Sequence, residues 1–184
     1  MKISEKTIRG CVSSNRKSQK EIYEKLYPVL MGICMRYTKD SQEAKDVLHD
    51  GFIKILNKIH TYNFNGNFEG WAKKIIVNTA IDRHRSLKKK VRLTYEENIK
   101  DESLVTNEEI NLYKNLDACD VIKLVQELAP SHRTALNLYL MEGFTHVEIA
   151  KMLGIAVGTS KSNLFKAKRA MSNKLKNIFE NERL

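Results

Sequence analysis

Proline is almost missing from this sequence, with two residues in 184, and glycine is sparse at eight. With so few breakers, and with 29% charged residues mixed among 42% hydrophobic ones, the chain reads as folded and helix-rich, which excludes a disordered or loop-built protein. Cysteine is scarce too. Cys11, Cys34 and Cys119 are odd in number and far apart, with no C-x-x-C pair. No secretory apolar segment follows Met1, so three small buried thiols in a cytoplasmic protein are expected instead of a disulfide framework. No run nears the roughly 18 consecutive apolar residues of a membrane span, which predicts a soluble chain. The five histidines are scattered, no H-E-x-x-H or phosphate-cradling glycine loop occurs, and His146 with Glu148 lacks the P-C-x-x-C partner of a zinc deaminase. These gaps argue against an enzyme, and neither a metal nor another cofactor is expected.

Positive charge is what the sequence has in excess. The formal net charge is +10 and the pI is near 9.5, so an anionic polymer or surface is the first partner to consider. Its distribution sharpens this. Residues 1 to 40 hold nine basic against four acidic side chains, residues 61 to 95 eight against two, and residues 156 to 184 seven against two. Between them, residues 96 to 130 reverse to three basic and nine acidic. Two basic halves flank an acidic middle.

Periodicity predicts an all-α protein of two small helical domains, at 1–90 and 118–184, joined by an acidic linker at 91–117 that has too few apolar positions for a core of its own. Ile22, Leu26, Val29, Leu30, Ile33 and Cys34 form a first helical stripe, interrupted by Pro28. After a break at Thr38 to Ser41, Leu48, Phe52, Ile55, Leu56 and Ile59 form a second. TYNFNGNF, residues 61 to 68, reads as an ordered loop, and a third helix runs from about Glu69 to Leu87. Beyond the linker the spacing predicts helices over 118–128, 131–142, 146–153 and 157–179, punctuated by Pro130, Gly143 and Gly154.

The last of these form a helix-turn-helix pattern. Thr145 and Glu148 make an S/T-x-x-E capping box, Ile149, Ala150 and Leu153 face inward, and Gly154 supplies the turn. In the second helix Val157, Ser160, Leu164, Ala167, Met171, Leu175 and Ile178 recur at spacings of three and four and are expected to be buried. Thr159, Ser162, Asn163, Lys166, Arg169 and Asn173 then lie on the opposite side, with Lys161 and Lys168 at the flanks. Hydroxyls, an amide and cations near a helix N-terminus suit base edges in a major groove, and the flanking lysines suit phosphates. An ordinary surface helix also carries a polar, basic outer face. The capped partner helix and glycine turn favour DNA.

In the N-terminal half, Lys74, Asn78, Asp82, Arg85 and Lys89 follow at helical spacing and lead into the basic run Lys88, Lys89 and Lys90. The preceding loop interleaves Tyr62, Phe64 and Phe68 with Asn63, Asn65 and Asn67. Aromatic faces beside cations are the ingredients of single-strand recognition. Blander readings stand beside this one. Trp71 shares a face with Ile75 and reads as core, Asp82 can simply pair with Arg85 or Lys89, and Tyr62 and Phe64 are as readily core as platform.

Taken in order, DVLHDGFIKIL, FEGWAKKIIVNTAIDRHR and the GTSKS of the last helix resemble regions 2.2, 2.3 to 2.4, and 4 of bacterial RNA polymerase sigma factors, in the extracytoplasmic-function (ECF) group of the sigma-70 family. The resemblance spans nearly the whole chain. It implies a sigma factor that binds core RNA polymerase and directs promoter-specific initiation. Region 2.2 grips the beta-prime clamp, here through the matching positions Asp46, His49 and Asp50; ordinary helix solvation would also expose Asp46 and Asp50. Regions 2.3 and 2.4 capture the melted minus-ten element, which maps onto Tyr62, Asn63, Phe64, Asn65, Asn78, Arg85, Lys88 and Lys89. Region 4 reads the minus-thirty-five element of promoter DNA, here through Thr159, Lys161, Ser162, Asn163, Lys166 and Arg169, and touches the beta flap. In family terms the acidic linker threads toward the RNA exit path. Many members are held inactive by an anti-sigma factor, although no residue here specifies one.

Three positions depart from the family pattern. His49 stands where glutamine is usual, Asn163 where arginine is frequent, and Ala156 where serine commonly caps the recognition helix, a cap worth about 0.5 to 2 kcal/mol. Two other functions fit the composition. A one-component helix-turn-helix regulator would bind an operator tightly without polymerase, and a helical adaptor docking an acidic protein would show no sequence preference.

Overall fold

The computed structural model describes residues 3–94 and 117–181, and among these every regular element is helical. The chain forms two compact units, Met1–Arg83 and His84–Leu184. The expected domain boundary at residue 90 falls inside a helix, and most of the linker predicted at 91–117 lies outside the described residues.

The first unit opens with a helix that the periodicity did not announce, α1 (Glu5–Val12). Ser4 caps it by accepting the Thr7 N–H, and Ile8 and Cys11 anchor it in the core. It packs on α2 (Arg16–Tyr37), to which the Thr7 hydroxyl donates through Glu21 at 3.2 Å. Gly10 allows this approach, since a Cβ there would lie 2.3 Å from Ser18 Oγ. Pro28 does not end α2. It forfeits one hydrogen bond, but Ile22, Leu26, Leu30, Ile33, Cys34 and Tyr37 bury a continuous stripe on both sides of it. The helix stops at Thr38, whose hydroxyl donates back to the Cys34 carbonyl.

Asp40 caps α3 (Ser41–Lys58), and Glu43 accepts the Lys39 N–H in return. Ala44, Val47, Leu48, Gly51 and Ile55 face inward. Gly51 lets α3 lie close against Ile76 of the next helix, because a Cβ there would meet Ile76 Cδ1 at 2.4 Å. One 3-10 turn, Ile59–Thr61, leads into the loop. The loop ends in α4 (Phe68–Thr94), which buries Ala72, Ile76, Val77, Ala80 and Ile81. This helix runs past Leu87, where it was predicted to stop, because lysines are good helix formers and nothing in Lys88 to Lys90 breaks it.

In the second unit Asp117 caps α5 (Ala118–Gln126). Pro130 sits in the first turn of α6 (Pro130–Leu136), which continues as one wide π-type turn over Asn137–Met141. Then come α7 (His146–Leu153) and α8 (Val157–Asn181). Val125, Leu128, Leu136, Leu164 and Ala167 form the core. Arg133 is buried among them, and its guanidinium donates to the carbonyls of Val125, Gln126 and Leu128. It thereby adds donors to the carbonyls at the end of α5, of which Val125 also accepts the Leu128 N–H at 3.2 Å.

The cysteines divide. Cys11 and Cys34 are buried, and burial pushes the Cys34 thiol up to about 12. Cys119 is exposed, contrary to expectation, because it sits in the first turn of α5 on the side away from Leu124 and Val125. No helix among the described residues is long and apolar enough to cross a membrane.

Candidate nucleic-acid interface

Three surfaces collect the residues that sequence reasoning singled out. In the second unit, α7 starts with a complete capping box: the Glu148 carboxylate accepts the Thr145 N–H at 2.8 Å, and Thr145 Oγ1 accepts the Glu148 N–H at 3.3 Å. The hydrogen bonds from Thr145, first to its backbone N–H and then to its hydroxyl, hold the Glu148 carboxyl below the usual range. Gly154 closes the helix in the left-handed region at φ 63°, where any side chain would be strained. From there α8 packs back against α7. Ser160 is fully buried and shares a 3.0 Å hydrogen bond with His146 Nδ1, while the His146 ring stacks on Tyr139 at 4.7 Å. His146 is thus a fastener between the two helices, a role that its spacing from Glu148 did not suggest.

The buried stripe of α8 follows the prediction at Ser160, Leu164 and Ala167. Val157 departs from it and is exposed, since the first turn of α8 projects beyond the Ser160 contact with α7. On the outer face Thr159, Lys161, Lys168 and Arg169 are exposed, and Ser162, Asn163 and Lys166 are half-buried. Lys166 lies close to half-buried His132, whose pKa is pushed down first by burial and then by the Lys166 charge. The imidazole is therefore neutral near pH 7 and adds no cation to this face.

In the first unit the loop between the 3-10 turn and α4 is built on aromatic rings. Tyr62 is 8% exposed and sits at the centre, with ring centroids of Phe64, Phe68 and Trp71 at 5.3, 5.1 and 5.6 Å. Its hydroxyl donates to the Gly66 carbonyl at 2.8 Å and so closes the loop. Tyr62 is thus the buried centre of the loop. Phe64 rises from it at φ 61°, and its ring is 36% exposed. Asn63 and Asn67 each turn a carbonyl oxygen inward, to the N–H groups of Asn65 and Glu69, and all three asparagines remain at the surface. Phe68 and Trp71 stack at 5.4 Å as part of the same cluster.

Along α4, Lys74 and Asn78 are exposed. Asp82 pairs with Lys54 of α3 at 3.3 Å. That pairing crosses between helices, which one-dimensional spacing does not reveal. Arg85 is exposed on the same helix, and the side chains of Lys88 and Lys89 lie outside the described residues.

A third surface lies on α3. Asp46, His49 and Asp50 are all exposed and share one helical face by their spacing. Asp46 is also held by Arg83, whose guanidinium reaches it at 3.5 Å and Glu43 at 3.2 Å. Ile53, one turn beyond His49, continues this face and is 45% exposed. Nearby, Tyr23 packs edge-on against Phe52 at 4.8 Å and beside Tyr27 at 5.6 Å. Periodicity alone missed this partly exposed apolar patch, since Tyr23 and Tyr27 fall off the buried stripe of α2. No group of three or more histidine, cysteine, aspartate or glutamate side chains among the described residues is placed to hold a metal ion.

Comparison with known proteins places these surfaces in a family context. The model described as Sigma-70 region 2 matches residues 22–90, and that described as Sigma-70, region 4 matches residues 120–171. RNA polymerase sigma factor SigV of Bacillus subtilis (strain 168) is 30% identical over 139 residues, covering 76% of this chain and 80% of that protein. RNA polymerase sigma-H factor of Pseudomonas aeruginosa is 27% identical over 157 residues, covering 79% and 80%. ECF RNA polymerase sigma factor SigW of Bacillus subtilis (strain 168) is 24% identical over 161 residues, covering 79% and 82%. The fold matches the sigma factor RpoE from Bartonella quintana, solved in complex with the anti-sigma factor NepR, with a TM-score of 0.50 and 23% identity over 85% of this chain and 96% of that one.

Proposed function

Since this chain belongs to the sigma-70 family of RNA polymerase sigma factors, in its ECF subfamily, we propose a division of labour among its surfaces. The protein directs promoter-specific transcription initiation and is not itself a catalyst; the chemistry belongs to the polymerase. It works in the cytoplasm, where that polymerase and its promoter DNA are. A one-component regulator is disfavoured by the region 2 match, which gives the N-terminal half to polymerase and promoter engagement.

The second unit holds duplex DNA at the minus-thirty-five element. Thr159, Ser162, Asn163, Lys166 and Arg169 line the outer face toward the base edges, and the flanking Lys161 and Lys168 meet phosphates. The first unit, together with the rest of α4, captures unpaired bases of the minus-ten element. Phe64 offers a stacking face supported from below by Tyr62, Asn63 and Asn65 offer amide groups, and Asn78, Arg85, Lys88 and Lys89 track the strand. Extruding a base costs a few kcal/mol, which stacking and hydrogen bonds in such a site offset. On α3, Asp46, His49 and Asp50, extended by Ile53, engage the beta-prime clamp, and the second unit also touches the beta flap. The acidic segment between the units threads toward the RNA exit path. An anti-sigma factor, such as the one bound to the Bartonella relative, is a further partner.

The observation that supports this division is the chemical contrast between the two DNA-facing surfaces. One is an exposed aromatic and amide loop suited to unpaired bases, and the other a cationic, hydroxyl-bearing helix behind a glycine turn, suited to a groove. Two sets of variants test it. Arg85→Ala with Lys89→Ala should reduce permanganate-detected strand opening while core polymerase binding holds, and a parallel fall in both would show the surface misplaced. Replacing Thr159, Ser162, Asn163 and Lys166 together should change upstream-element preference in run-off transcription, and an unchanged preference refutes that assignment.

A further inference from the structure

Helix α1 lies ahead of both matched regions, the first of which begins at residue 22, yet it reaches the base-capture loop. The guanidinium carbon of Arg9 stands 4.6 Å from the centroid of the Phe64 ring. Glu5 fixes that guanidinium, accepting from Arg9 Nε at 2.8 Å and from Nη2 at 2.5 Å. The helix carrying both is itself anchored, through buried Ile8 and Cys11 and through the Thr7 hydroxyl on Glu21. Phe64 needs such support. It sits at φ 61°, a left-handed conformation that is costly for a bulky aromatic residue, and its ring is partly exposed with Tyr62 tilted beside it.

We propose that Arg9 is a positioning residue for base capture: it covers one face of Phe64 and holds the ring so that the remaining exposed face stacks an unpaired DNA base. The planar guanidinium suits this, because it lies flat on a ring and is attracted by the ring quadrupole, whereas a lysine offers only a point charge. The inference rests on reading residues 61–68 as the base-capture loop. It adds α1 to the promoter-reading surface and predicts that Arg9 affects selectivity only where Phe64 does.

A double-mutant cycle tests this with the full-length chain assembled on core RNA polymerase. The probe is a pool of fork-junction DNAs whose single-stranded non-template overhang carries randomised bases. Retention gives affinity, and sequencing of the retained pool gives the preference at each overhang position. Arg9→Ala should weaken retention about two- to five-fold, the range of an exposed cation–π contact, and flatten preference at the same position that Phe64→Ala flattens. It should do neither in the Phe64→Ala background, and Arg9→Lys should restore part of the loss. If Arg9→Ala weakens binding equally in both backgrounds, the arginine acts as a general phosphate contact and the inference is overturned. If Phe64→Ala matters and Arg9→Ala does not, the inference alone fails. If Phe64→Ala has no effect, the reading of the loop fails and takes the inference with it. Thermal melting of each variant by circular dichroism checks that both exposed substitutions leave the fold intact.

Discussion

Replacing Arg133 by methionine tests how the second unit is held together. The arginine is 4% exposed, and its guanidinium donates to three carbonyls at 3.2, 2.7 and 2.8 Å, those of Val125, Gln126 and Leu128. Methionine keeps most of the apolar stem but removes the charged donor from all three carbonyls, while Val125 still accepts the Leu128 N–H. A hydrogen bond from a charged group contributes about 1.5 to 3 kcal/mol, yet three on one side chain do not add, and water can reach part of the exposed carbonyl edge. The expected loss is therefore about 3 to 5 kcal/mol, since a buried acceptor left short of its donor costs about 1 to 3 kcal/mol. With a urea slope of roughly 2 kcal/mol per M, that moves the midpoint by about 2 M. The protein's single tryptophan, Trp71, lies in the first unit, so its fluorescence reports that unit while far-UV circular dichroism reports both. An early transition should appear in the dichroism and be absent from the Trp71 signal. Arg133→Lys should recover less than half of the loss, because an ammonium cannot span three carbonyls set in a fork. A midpoint shift below about 0.5 M, or equal movement of both signals, would show that the guanidinium is not what closes α5.

Gly154→Ala places a side chain at φ 63° and should destabilise the second unit by about 1 kcal/mol, seen as a lower dichroism midpoint and weaker minus-thirty-five dependence. Thiol titration of the native chain should find Cys119 reactive, with Cys11 and Cys34 responding only after denaturant, since burial raises both and takes Cys34 to about 12. The Glu148 carboxyl is held below its ordinary value, so its ionised form favours the folded state above that ordinary value of about 4.3. The advantage of the wild type over Glu148→Gln should therefore be full at neutral pH and disappear as pH falls through the lowered folded value; an advantage that persists below it would refute the assignment.

The helices were legible because each buries a stripe at intervals of three and four and most begin at a side-chain acceptor. Thr145 with Glu148, and Gly154 after Leu153, announced α7 from four residues. Helix α1 was not legible, since eight residues with Ile8 and Cys11 as its buried apolar positions carry too short a pattern to stand out from a polar N-terminus. Pro28 misled in the other direction. A proline argues for interruption, but the apolar stripe on either side of it outweighs one lost hydrogen bond.

The candidate site divides along the same physical line. Exposure of Thr159, Lys161 and Arg169 follows from their angle around α8 relative to Leu164, so a one-dimensional pattern finds them. The partners of individual side chains are set by packing between helices, and no spacing encodes them. Asp82 meets Lys54 across from α3 to α4, Asp46 meets Arg83, and His146 meets Ser160 fourteen residues away. The loop shows the same split within eight residues. Composition identified TYNFNGNF as aromatic and amide-rich, but it could not say that Tyr62 would lie beneath and Phe64 above. That order comes from the Tyr62 hydroxyl reaching the Gly66 carbonyl and from the left-handed turn at Phe64, which together bury one ring to display the other. On the proposed base-capture reading both rings are needed, so removing the Tyr62 hydroxyl, which donates to the Gly66 carbonyl, should loosen the Phe64 ring and lower minus-ten selectivity as Phe64→Ala does, though less.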